Sequence, residues 1–114
     1  MSTAQIYNLS GDQGSTFIFG CQWLQDETGV NLTNWSGKMQ LRQGYNCTGI
    51  EAEASTENGL IELSSSGNVY INLTPNQTSG LNYRNYVYDI DLSSGDFTKT
   101  LLRGNFTICP EVTR

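Results

Sequence analysis

An all-β fold, an immunoglobulin-like antiparallel β-sandwich of about seven or eight short strands, is what this sequence predicts. Three observations carry that expectation. Apolar residues recur with a period of two along most of the chain, the pattern of half-buried strands. Charged residues are only 15% of the total, against roughly 25% in an average soluble domain, while Ser, Thr, Asn and Gly abound. A chain of 114 residues has room for one core, so residues 1–114 are read as a single domain, with 110–114 a tail outside the sheets.

The elements follow in order. From Ser15 to Leu24, the residues Phe17, Phe19, Cys21 and Trp23 share one face, although Ile18 and Leu24 blur the alternation, and the pattern predicts a central strand. Asp26-Glu27-Thr28-Gly29 supplies a turn, with Gly29 suited to a positive φ, so this strand and the next read as a hairpin. In that next strand Trp35, Gly37, Met39 and Leu41 fall on one face, and Ser36, Lys38, Gln40 and Arg42 on the other. Gln43 to Ser55 yields no assignment, because Glu51-Ala52-Glu53-Ala54 suits a ragged strand and a helical turn equally. Leu60 to Leu63 and the alternating Val69, Ile71 and Leu73 flank Ser64-Ser65-Ser66-Gly67 and predict a second hairpin. Thr74 can cap one helical turn that has Pro75 at its first position and ends at Gly80. Tyr86, Tyr88, Ile90 and Leu92 then point inward, Ser94-Gly95-Asp96 turns the chain, and Leu102, Gly104, Phe106 and Ile108 share a face of the last strand. Pro110 cannot extend that strand through the ladder.

The chemistry available is narrow. The chain has no histidine, which removes Ser-His-Asp and Cys-His catalysis and His-based metal sites. No enzyme activity and no cofactor are expected. Eleven acidic residues against six basic ones give a formal net charge of −5, the wrong sign for a phosphate backbone, so nucleic acid is not an expected partner. No run approaches the ~20 apolar residues of a membrane span, and Met1 to Gln5 lacks the features of a signal peptide, so the expected place of folding is a cytoplasm and no membrane partner is expected. The three cysteines, Cys21, Cys47 and Cys109, are an odd count without C-x-x-C spacing. Their order around Trp35 imitates an immunoglobulin disulfide, but Thr107 stands where the tyrosine two residues before the second cysteine is expected, which favours free thiols packed as small hydrophobes.

Candidate sites are contacts and not reaction centres. Asp89 and Asp91 lie on one strand face and, with Asp96 or Glu62, could hold a hard cation, although a solvated polar face is the better reading. Tyr83 and Arg84 combine the residue types that dominate interface hot spots and are needed by no periodic core face. The edge from Gln5 through Tyr7 to Leu9 and the tail residues Pro110, Val112 and Arg114 are further contact candidates, since unpaired strand edges and polar termini can join a neighbour. N-x-[ST] sequons occur at Asn8, Asn31, Asn34, Asn46, Asn72, Asn76 and Asn105, the mark of a competing class of extracellular glycan-binding or adhesive sandwiches, although turn chemistry accounts for them as well.

The run Asp12-Gln13-Gly14-Ser15-Thr16-Phe17, then Trp23, then Val30 to Arg42 resembles a family of small structural proteins of tailed bacteriophages. Gly67 to Thr74 with Gln77-Thr78, Tyr86 to Leu92, and Leu101 to Gly104 through Arg114 are similar to later blocks of the same family, in the same order. Trp35, Gly37, Cys21 and Cys109 depart from its usual Tyr, Ala, Phe and Ser. The resemblance implies a non-catalytic virion component, a tail or baseplate accessory in many symmetric copies, binding other virion proteins and assembled in the host cytoplasm. A capsid-decorating or neck protein is the alternative within the virion.

Overall fold

A computed structural model describes residues 5–44, 46, 49–81 and 85–109. The strands are β1 (Gln5–Ile6), β2 (Leu9–Asp12), β3 (Phe17–Gln22), β4 (Leu24–Gln25), β5 (Thr28–Gly29), β6 (Ser36–Arg42), β7 (Ala52–Ser55), β8 (Ile61–Leu63), β9 (Asn68–Leu73), β10 (Asn85–Ser94) and β11 (Phe97–Cys109). One short helix, α1 (Pro75–Ser79), connects β9 towards β10.

Two sheets make the sandwich. The larger runs β1-β11-β10-β6-β7, with β2 also on β11; the smaller runs β3-β9-β8. β1 and β2 pair with β11 in parallel, while the β11-β10-β6-β7 and β3-β9-β8 ladders are antiparallel. The sequence expectation of a central β3 is corrected here. Among the described residues β3 pairs on one side only, with β9, and is an edge. Nor does β3 form a hairpin with β6, which belongs to the other sheet; the turn at Asp26 and Glu27 closes only the two-residue pair β4 and β5. The alternation of apolar residues specifies which face of a strand is buried but not which strand it sits beside, and a strand buried on one face reads the same at an edge as in the middle.

The same turn shows why Gly29 is glycine. Its φ is not positive; Asp26 (φ 51°) and Glu27 (φ 66°) take that strain. A Cβ on Gly29 would lie 1.8 Å from the Ser66 carbonyl oxygen, because the β4-β5 hairpin rests on the β8-β9 turn. β7, which the sequence leaves unassigned, pairs Ala52, Glu53, Ala54 and Ser55 with β6 and buries both alanines.

The core lies between the sheets and follows the alternation. Met39, Leu41, Tyr86, Tyr88, Ile90, Leu92, Leu102, Phe106 and Ile108 from the larger sheet meet Phe17, Ile61, Val69, Ile71 and Leu73 from the smaller. Phe17 and Phe106 pack edge to face with centroids 4.8 Å apart, joining the two layers. Trp23 packs edge to face on Trp35 at 5.4 Å, so neither indole is free to act as a flat platform. α1 is built as its sequence implies: Thr74 and Gln77 form a reciprocal capping box, Pro75 begins the turn and Gly80 caps its end.

Candidate interaction surfaces

The outer face of the larger sheet is polar and self-satisfied. Across its rows, Arg103, Asp89, Gln40 and Glu53 stand beside one another, as do Thr100, Asp91, Lys38 and Ser55. Arg42 donates to Gln40 Oε1 at 2.8 Å, Gln40 Nε2 donates to Glu53 Oε2 at 2.7 Å, and Thr100 Oγ1 donates to Asp91 Oδ1 at 2.7 Å. An open cleft of about 270 Å³ lies over Gln40, Arg42, Val87, Asp89 and Asp91. Partial burial raises the Asp89 carboxyl above its ordinary value, Asp91 adds to the rise, and Arg42 opposes it. The cation reading fails on position: Glu62 lies on the smaller sheet, and no cluster able to hold a metal ion occurs among the described residues.

The flank where β1 and β3 end the two sheets is different. Ile6 is 72% exposed, Tyr7 52% and Ile18 73%. The Tyr7 ring rests on Phe19 of β3 at 5.7 Å, and Gly104 lets the chain between β1 and β2 pass close over β11, since a Cβ there would lie 2.4 Å from the Tyr7 carbonyl oxygen. Tyr88 Oη donates to that carbonyl from inside the core. Beside this flank an open groove of about 340 Å³ is lined by Gln5, Cys21, Trp23, Leu24 and Leu102, with Lys99 Nζ 5.6 Å from the Trp23 ring centroid. Cys21 is a free, half-buried thiol, and burial pushes it up to about 11; Cys109 is free and exposed.

The contact candidates divide accordingly. Gln5 and Tyr7 are exposed on this flank, but Leu9 is buried in the core and is corrected from contact to packing residue. Tyr83, Arg84, Pro110, Val112 and Arg114 lie outside the described residues. The last strand is flanked on both sides only from Leu102 onward, with β10 on one side and β1 and β2 on the other; among the described residues its first part, 97–101, pairs with β10 alone. What the sequence reading missed is Ile18, which blurs the alternation of β3 because it is the apolar residue on that strand's outer face. That blur was the available signal.

A scan of protein-family models and a search of curated proteins return no match. Solved structures do match. One, from work on multimeric cell-adhesive interactions of voltage-gated sodium channel beta subunits, superposes with a TM-score of 0.54 over 96% of each chain at 12% identity. Another, the extracellular domain of the voltage-gated sodium channel beta4 subunit, solved as parallel homodimers that explain its role in cell-cell adhesion, gives 0.50 over 98% of each chain at 13% identity. The fold is an immunoglobulin-like β-sandwich. The bacteriophage resemblance is corrected by this finding, and the virion partners and host-cytoplasm location it implied fall with it: the matching structures are of sodium channel beta subunits, in one case their extracellular domains. The physical reason is visible in the blocks themselves. Phe17, Trp23, Met39, Leu41, Tyr86 and Tyr88 are core positions of the sandwich, so alternation and turns shared in order reflect the fold and not a shared particle.

Proposed function

We propose that this chain is a non-catalytic adhesive domain of the extracellular immunoglobulin-like kind, acting by protein association through the flank where its two sheets end. The observation that carries this reading is that Ile6, Tyr7 and Ile18, among the most exposed large apolar residues described, all lie on or beside the strands that end the two sheets at that flank. Two facts support it. The structures it resembles in fold are described as cell-adhesive. Six of the sequon asparagines, Asn8, Asn31, Asn34, Asn46, Asn76 and Asn105, are exposed and Asn72 is half-buried, so the surface accommodates the sugars of an extracellular protein. A glycan-binding role has less behind it, because both tryptophans are engaged with each other.

The test is aggregation of beads carrying the chain through a C-terminal tether. Beads are expected to cluster, and an excess of free chain to disperse them. Beads that stay as dispersed as those bearing an unrelated sandwich, and that also fail to bind cells, would overturn the reading.

A further inference from the structure

We infer that the partner of this domain is a second copy of itself, joined by antiparallel pairing of β3 with β3 about a two-fold axis at Gly20. The inference rests on the adhesive reading and gives it a partner and a register.

The hydrogen-bond pattern sets which backbone groups are free. Trp23 N–H donates to the Gly67 carbonyl at 2.9 Å, in the same register that pairs Phe17 with Leu73 and Cys21 with Val69. The odd-numbered residues of β3 therefore direct their N–H and C=O groups at β9, and Ile18, Gly20 and Gln22 direct theirs to the open side. All three residues are exposed, and among the described residues β3 has no second neighbour strand.

This edge is unlike the others. Natural edge strands are shortened, charged, bulged or covered to prevent intermolecular pairing. β1 has two residues; β2, β7 and β8 have at most four and carry Asp12, Glu53 and Glu62 respectively, and the stretch 97–101 of β11 that β1 and β2 leave uncovered carries Lys99. β3 has six residues, Phe-Ile-Phe-Gly-Cys-Gln, without a charge, a proline or a bulge. Its neighbour β9, Asn-Val-Tyr-Ile-Asn-Leu, is uncharged too. For a chain of net charge −5, this is where two copies meet with least repulsion.

The register follows from using every free group. Placing Gly20 opposite Gly20 of the second copy sets Ile18 opposite Gln22 on both sides, and all three residues then exchange reciprocal N–H···O=C bonds. Two three-stranded sheets become one continuous sheet, β8-β9-β3 followed by its two-fold mate, with an isologous interface. On its outer face, Ile18 and Tyr70, which is 48% exposed, cluster around the axis from both copies. Tyr70 lies across from Gly20, and a Cβ built on Gly20 stands 3.6 Å from the Tyr70 ring, an ordinary contact. Gly20 therefore tolerates a side chain in the monomer.

A two-fold axis through one residue makes a specific test possible. Gly20→Lys sets two lysines directly opposite each other, and Gly20→Glu two carboxylates. By sedimentation velocity over a range of concentrations, the wild-type chain is expected to dimerise. Each variant alone should weaken the dimer about tenfold, while an equimolar mixture of the two should recover it. Gly20→Pro, which removes an outward N–H from an edge strand, should abolish dimerisation with the circular dichroism and melting of a folded sandwich. If Gly20→Pro fails to fold, the Lys and Glu pair still decides. A wild-type chain that stays monomeric would overturn both this inference and self-adhesion. A wild-type dimer unaffected by Gly20→Lys, or variants that weaken without recovery on mixing, would overturn the β3 register alone and leave the adhesive reading standing.

Discussion

Gly104 shows how a single residue fixes the way the N-terminal strand crosses the sandwich. Its missing side chain is the space through which the Tyr7 carbonyl passes, and Tyr88 reaches out of the core to bond that carbonyl. Gly104→Ala therefore forces backbone apart from backbone, and should cost about 2 to 3 kcal/mol in chemical denaturation. Tyr88→Phe keeps the ring and should cost less, about 1 kcal/mol. Equal losses would mean that the hydroxyl, and not the close approach, holds the crossing. Cys21 is the second residue with a measurable signature. Burial lifts its thiol from 9.0 to about 11, so near neutral pH its thiolate fraction falls about a hundredfold. Iodoacetamide on the folded chain should modify exposed Cys109 well before Cys21, as peptide mass mapping would read, and both should react alike in guanidinium.

At the scale of elements, α1 is short enough to depend on its ends. Thr74 Oγ1 accepts from Gln77 N–H at 3.2 Å, Gln77 Oε1 accepts from Thr74 N–H at 3.0 Å, and Gln77 Nε2 also donates to the Glu53 carbonyl at 2.7 Å, tying the turn to β7. Thr74→Ala should cost about 1 kcal/mol, and Gln77→Ala more, because it also removes the shorter of two side-chain hydrogen bonds to the Glu53 carbonyl, leaving that from Asn58 Nδ2 at 3.3 Å; a thermal melt of each ranks them. This helix was legible in the sequence down to its cap, as was the inward face of β9 and β10, because capping and alternation act between residues close in the chain. What was not legible depends on distant partners. β3 read as central because Phe17, Phe19 and Cys21 face inward, yet its edge position is set by where β1 and β2 pair, 97 residues on along β11. Gly29 read as a turn residue, but what requires it is the Ser66 carbonyl on another hairpin. The contact surface was half legible: Gln5 and Tyr7 fall on the exposed flank, whereas Leu9 packs inward and Ile18 went unremarked as more than a break in the pattern.

For the whole molecule, the distribution of charge separates two ways in which copies could meet. The larger sheet's outer face carries Lys38, Arg42 and Arg103 among Glu53, Asp89 and Asp91, so a dimer formed there would rest on ion pairs between copies and would weaken as salt screens them. The β3 edge has no ion pair to lose. Each copy carries a formal charge of −5, so bringing two together through an uncharged strand is opposed by their summed fields across distances comparable to the Debye length, about 10 Å at 0.1 M salt. Screening relieves that opposition and leaves the backbone hydrogen bonds and the Ile18 and Tyr70 contacts in place. The dimer should therefore tighten several-fold between 50 mM and 500 mM sodium chloride, measured by sedimentation equilibrium at fixed pH. A dimer that loosens over the same range would place the contact on the charged face instead, because only there does association gain attraction that salt can remove.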